Sequence, residues 1–220
     1  MSGPTSALPE KRRRGRPARL SRERIIETAV ELLTSRPLEE LSVQSVAEAL
    51  GASKMSLYHY FPNRDELFYA VAEQAFATFE TPPAAGDWEA QLLRWLRALQ
   101  QHCDRHPYIF KVLGMESRLQ SSFLQATMPL NRILKQRGFN GRALAFASTW
   151  LVCNAMAIIK EEQEATPYRR SFLPDQLRMP AEDRQIMLEI LTHLPSIERQ
   201  EVLEFSFREL IAGLEKLARA

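Results

Sequence analysis

An all-α fold is predicted by three features of this 220-residue sequence. Apolar residues recur at three- and four-residue spacing through most of the chain, as along one face of a helix. Ser, Asp and Asn stand just before those runs, and Gly or Pro follows them. No stretch alternates apolar and polar residues as a half-buried strand would, and no segment repeats itself. Hydrophobic residues make up 45% and charged residues 25%, the balance of a globular protein with a real core, and the length fits one large domain or two smaller ones.

Residues 1–20 are rich in Pro, Gly, Ser and Arg, lack apolar periodicity and are predicted to form a disordered basic arm. Residues 1–24 hold eight Lys or Arg against Glu10 and Glu23. That surplus of six, in a chain whose net charge is +2, leaves the remainder at −4. A basic arm on an acidic body predicts that nucleic acid is met at the N-terminus. Within the arm, Arg14-Gly15-Arg16-Pro17 resembles the core of an AT-hook, whose arginines enter the negative potential of a narrow minor groove.

Ser21 is placed to cap a first helix to about Ser35, with Ile25, Ile26, Ala29, Leu32 and Leu33 as a core-facing stripe. Pro37 ends it. Ser42 caps a second helix carrying Val43, Val46, Ala47 and Leu50, and Gly51 follows where a positive φ is wanted. Ser53 caps a third helix through Tyr60. A small residue at Ala47, a glycine at Gly51 and an aliphatic at Leu57 are the core positions of a helix-turn-helix. A fourth helix begins near Asp65 and runs through Leu67, Phe68, Val71, Ala75 and Phe76.

Thr81 to Gly86 breaks the pattern, so residues 21–80 and 87–220 are predicted to be separate domains. Asp87 caps a helix to about Arg105 that buries Leu92, Trp95, Leu96, Leu99 and Cys103. A short helix from Pro107 to about Gly114 follows, then one from Glu116 to Arg137 with a possible kink at Pro129. Phe139-Asn140-Gly141 reads as a turn. From Ala143 to Ile159 no charge occurs in 17 positions, the low edge of a membrane span. Its Ser, Thr, Asn and Ala content predicts instead a helix buried on nearly all sides by protein, with no membrane partner. Residues 166–180 form a proline-rich loop, and helices from Ala181 to His193 and Ile197 to Ala218 complete the bundle. The last of these carries Leu203, Phe207, Leu210, Leu214 and Leu217 at alternating four- and three-residue spacing, widened by Val202, Phe205 and Ile211. That apolar surface, with the uncharged helix, exceeds what one bundle covers and predicts pairing with a second copy.

The residues Ile25, Ala29, Leu32, Leu33, Ser45, Val46, Ala47, Gly51, Ser53, Leu57, Tyr58, Tyr60, Phe61, Arg64, Leu67 and Phe68 together resemble the DNA-binding domain of the TetR (tetracycline-repressor-like) family of bacterial transcriptional regulators. The resemblance implies that the third helix enters the major groove. Lys54, Met55, Ser56, Tyr58 and Tyr60 then lie on or near its DNA side, with Lys54 suited to guanine and Met55 to a thymine methyl. Ser45, Tyr58, Tyr60 and Arg64 suit phosphate, and Arg14 and Arg16 the minor groove. It also implies a homodimer on an inverted-repeat operator, and a repressor released by a small apolar or amphipathic effector.

For that effector the second domain offers Trp95, Tyr108, Phe110, Met115, Phe123, Met128, Phe146, Trp150 and Met156, with Asn154 needing a hydrogen-bond partner if buried. Aromatics and methionines at helical spacing are more often plain core. His102 and His106 have the spacing of a metal face but no third ligand nearby, and an ordinary surface pair is the expectation. No glycine-rich phosphate loop, G-x-S-x-G or nucleophile–base pairing occurs, so no catalysis, metal or cofactor is expected. Two cysteines and a basic N-terminus with no apolar segment behind it predict the cytoplasm. A DNA-binding regulator without a ligand, and an enzyme or adaptor with an appended helix-turn-helix, stay open as alternatives.

Overall fold

A computed structural model describes residues 20–113, 120–164 and 180–218. They are helical throughout, with no strand among the described residues. The order is α1 (Arg22–Ser35), α2 (Val43–Leu50), α3 (Lys54–Tyr58), α4 (Arg64–Ala77), α5 (Trp88–Arg105), α6 (Ile109–Val112), α7 (Ser121–Gln136), α8 (Gly141–Glu164), α9 (Ala181–His193) and α10 (Arg199–Ala218). The predicted arm, including Arg14 and Arg16, the residue Met115 and the proline-rich loop lie outside the described residues.

Local chemistry starts the first helices. The Ser21 hydroxyl accepts from the Arg24 amide, and Ser42 and Ser45 form a reciprocal capping box. Gly51 takes φ +63°, and the Ala52 amide returns to the Ala47 carbonyl at 2.9 Å. That tight exit turns the chain into α3, capped by Ser53. α3 ends at Tyr58 rather than Tyr60, because the amides of Tyr60 and Phe61 both turn back onto the Leu57 carbonyl at 2.9 Å. Asn63 and Asp87 cap α4 and α5 through side-chain oxygens 2.8 Å from the Glu66 and Ala90 amides.

α4 is buried at Leu67, Phe68, Ala70, Val71, Ala72, Ala75 and Phe76, so apolar residues run around most of its surface. It lies between α1 on one side and α6 and α7 on the other. The five expected apolar residues of α5 are all buried. α7 begins at Ser121, later than Glu116, because Gln120 is extended. Its first turn is capped from α4: the Ser122 amide donates to the Glu73 carboxylate at 3.0 Å and its hydroxyl to the Glu73 carbonyl at 2.7 Å. Pro129 is accommodated within the helix.

α8 is less covered than its sequence predicts. Only 28% of its most apolar 18-residue window is buried, and by length and hydropathy alone it meets the requirements of a membrane span. Ala147, Leu151, Val152, Ala155 and Ile159 face the chain's own core, while Phe146, Thr149, Cys153 and Ala157 form an exposed line. α10 corrects the expectation for its leucine stripe. Leu203, Phe207, Leu210, Ile211 and Leu214 are all under 8% exposed, consumed by packing on α5 and α8 of the same chain, and it is Phe205, 66% exposed, that faces outward. Gly213 lets the two helices approach, since a Cβ there would stand 2.8 Å from the Trp150 ring. Two bidentate ion pairs fix the α5–α10 register: Arg97 with Glu204 at 2.6 Å, and Arg199 with Asp104 at 2.7 and 3.0 Å.

Candidate nucleic-acid interface and effector cavity

The base-facing candidates stand on a rigid platform. Val46, Ala47, Leu57 and Phe61 are at most 3% exposed, and they hold α2 and α3 together while Lys54 and Met55, the latter 69% exposed, project away. The Lys54 ammonium lies 5.6 Å from the centre of the half-buried Tyr58 ring, so the aromatic supports the lysine as well as offering its own hydroxyl. Ser56 pairs its hydroxyl with that of Ser53 at 2.7 Å. Arg64 stacks over Phe68 and gives one N–H to the Leu38 carbonyl at 3.1 Å, leaving its other donors available.

Two expected phosphate ligands have other duties. The Tyr60 hydroxyl donates its only proton to the Leu20 carbonyl at 2.9 Å, tying the start of α1 to the end of the reading helix. The Ser45 hydroxyl donates to the Ser42 carbonyl at 3.0 Å as part of the capping box. Sequence reasoning missed Arg22, which bonds the Tyr60 carbonyl at 3.1 Å and covers the Phe61 ring at 4.3 Å. It also passed over His59, exposed just past the end of α3.

The effector candidates are not gathered in one place. Trp95 is 1% exposed with its indole N–H on the Ala126 carbonyl at 2.9 Å, so it is core, and it also lines a cavity of about 270 Å³. That cavity lies between α5, α7 and the 81–84 segment, with Pro82, Pro83, Gln91, Pro129 and Ile133 in its walls. Phe123 packs edge-on against Phe76. Phe110 borders a separate cleft of about 640 Å³ whose other walls are largely charged, among them Asp104, Lys160 and Arg199. Trp150 is wedged against Gly213, and the Asn154 amide donates to the Trp150 carbonyl at 2.7 Å within α8.

His102 is a second correction. It is 1% exposed rather than on the surface, its Nε2 lies 2.6 Å from the Ala75 carbonyl, and Phe76, Phe79 and His106 surround the ring. Burial lowers its pKa first; the Ala75 bond opposes this, and His106 and Arg105 add to the lowering. Burial and Arg105 lower His106 too. Neutral imidazoles in the folded state mean that the unfolded chain binds protons first as pH falls through about 6.5. The melting temperature should therefore drop between about pH 7.5 and about pH 5.5, and His102→Gln should flatten that drop. Thermal melts across this range check it, and a rise on acidification would reverse the sign. Asp104 acts at lower pH: burial pushes its carboxyl up, but hydrogen bonds from Arg199 and Gln163 outweigh that and hold it down. Burial pushes the Cys103 thiol up to about 12, leaving it inert.

A family model described as bacterial regulatory proteins, tetR family, matches residues 25–71, which span α1 to the middle of α4. The chain is 35% identical over 136 residues to the transcriptional repressor DrrR1 of Streptomyces coeruleorubidus, covering 61% of this chain and 50% of that protein, so it spans half the length of that relative. It is 25% identical over 206 residues to the class D tetracycline repressor of Escherichia coli, covering 90% of each. Among solved structures, Streptomyces coelicolor ActR in complex with actinorhodin shares the fold at a TM-score of 0.75, with 24% identity over 92% of this chain and 100% of that one. The helix-turn-helix on its buried platform thus matches the tetR family of bacterial regulatory proteins over residues 25–71, and the helical body behind it shares the fold of ActR.

Proposed function

We propose that this chain is a homodimeric transcriptional repressor that binds an inverted-repeat operator in double-stranded DNA and is released by a small-molecule effector. The carrying observation is the outward face of α3, with Lys54 and Met55 held clear of a fully buried α2–α3 contact. Residues 21–80 form the reading head with its connecting helix, and 87–220 the effector and dimer domain. Lys54 and Met55 address the groove, and Tyr58 and Arg64 the phosphates. Arg14 and Arg16 of the basic arm add minor-groove and counterion-release affinity. The protein acts on DNA in the cytoplasm and performs no catalysis.

The dimer forms through the exposed line of α8 and the Phe205 side of α10, each paired with its two-fold copy. The effector seat is the α5–α7 cavity, whose proline and Trp95 walls suit an apolar molecule and whose Gln91 and Gln136 can orient it. An effector acts only by favouring a dimer in which the two heads no longer match successive major grooves. DrrR1, the tetracycline repressors and the ActR complex with actinorhodin support this reading by analogy.

Selection from random double-stranded DNA tests it. The chain should enrich an inverted repeat with half-sites about 10 to 10.5 bp apart or a multiple of that. Lys54→Ala should relax one position per half-site, costing about 1 to 3 kcal/mol on the best sequence, whereas Arg64→Ala should weaken all sequences alike. No enrichment would end the proposal, and the opposite pattern would exchange the two roles.

A further inference from the structure

The last turn of α1 is completed from the other half of the molecule. Within a helix the Leu33 carbonyl would accept from the amide of residue 37, but that residue is Pro37, which has none. The Arg36 amide returns to Leu32 at 2.9 Å and does not serve Leu33. Lys111 of α6 does: its ammonium donates to the Leu33 carbonyl at 2.6 Å and to the Arg36 carbonyl at 3.2 Å. A cation at a helix C-terminus also meets the negative end of the helix dipole. α6 is short, but Ile109 and Val112 are at most 1% exposed and the helix packs on α4, so the ammonium is placed by the core of the body.

The other end of α1 reaches the reading helix. Arg22 bonds the Tyr60 carbonyl and covers Phe61, and the Tyr60 hydroxyl holds the Leu20 carbonyl in front of α1. α1 is therefore a strut of 14 residues, roughly 21 Å long, gripped by the body at its C-terminus and by the end of the reading element at its N-terminus. We infer that Lys111 is a positioning residue for DNA recognition: by capping α1 it fixes the angle of the reading head on the body, and with it the half-site spacing the dimer accepts. This rests on the proposed reading of the chain as a dimeric DNA-binding protein.

The test uses the full chain with Lys111→Met and Lys111→Arg, and selection from inverted-repeat libraries of varied spacer length. Methionine keeps the stem and removes the donor; a guanidinium keeps two donors within reach of both carbonyls. The unaltered chain should select one dominant spacing. Lys111→Met should accept spacers about 1 to 2 bp longer or shorter, with unchanged half-site bases and about tenfold weaker binding to the best spacing, while Lys111→Arg restores the narrow preference. Melting curves accompany each variant. The inference is overturned if Lys111→Met keeps the spacing preference, or if it melts lower and loses affinity equally at every spacing, the signature of general destabilisation. Failure of the unaltered chain to select any inverted repeat would instead bring down the DNA-binding reading, and the inference with it.

Discussion

Phe205→Glu should turn the protein into monomers that no longer hold an operator, while leaving its fold intact. Phe205 is 66% exposed on α10, and Phe146 on α8 is 56% exposed. Burying one such ring stabilises by roughly 2 kcal/mol, and two-fold symmetry counts it twice, so losing it costs about 4 kcal/mol, a thousandfold in dimer affinity. The paired buried carboxylates add to the loss. Sedimentation at micromolar concentration together with operator titration reads the result. Leu214→Glu is the contrasting variant. Leu214 is fully buried against the chain's own helices, so a charge there should unfold the protein rather than divide the dimer. A Phe205→Glu protein that still sediments as a dimer would move the interface elsewhere.

Trp95→Ala should cost about 3 to 5 kcal/mol of stability, as expected for a fully buried large aromatic. The side chain is 1% exposed, meets Phe79 edge-on at 6.2 Å and holds the Ala126 carbonyl, so its loss leaves both a void and an acceptor without its donor. For a chain of this size that corresponds to a fall in melting temperature of roughly 10 °C. Trp95→Phe should cost less, keeping most of the volume and losing the N–H bond. A fall under about 2 °C for the alanine variant would show that Trp95 is not a core anchor.

Features set by near neighbours were legible in the sequence. Ser21, Ser42, Ser53 and Asp87 cap the helices expected of them, Gly51 takes the left-handed turn, and the apolar stripe of α5 is buried residue for residue. What the sequence concealed depends on partners far along the chain. A 4-3-4-3 leucine stripe looks the same whether a helix of its own chain or of a second copy covers it, and in α10 it is the former. The first turn of α7 is held by Glu73, 49 residues before Ser122, and the end of α1 by Lys111, 78 residues later than Leu33. Neither residue type announces such a role. Lys54 and Met55 stand exposed on α3, but the Tyr60 hydroxyl is taken by the Leu20 carbonyl 40 residues earlier and that of Ser45 by its near neighbour Ser42.

The slot at Gly213 constrains the chain's descendants as well as its present form. The missing methyl group sets how near α8 and α10 come, and the Trp150 ring occupies the space a Cβ would need. A lineage that acquires alanine at 213 must shrink or turn the ring at 150. Positions 150 and 213 should therefore vary as a pair among related sequences, and the order of change matters: the smaller ring first, the methyl group second.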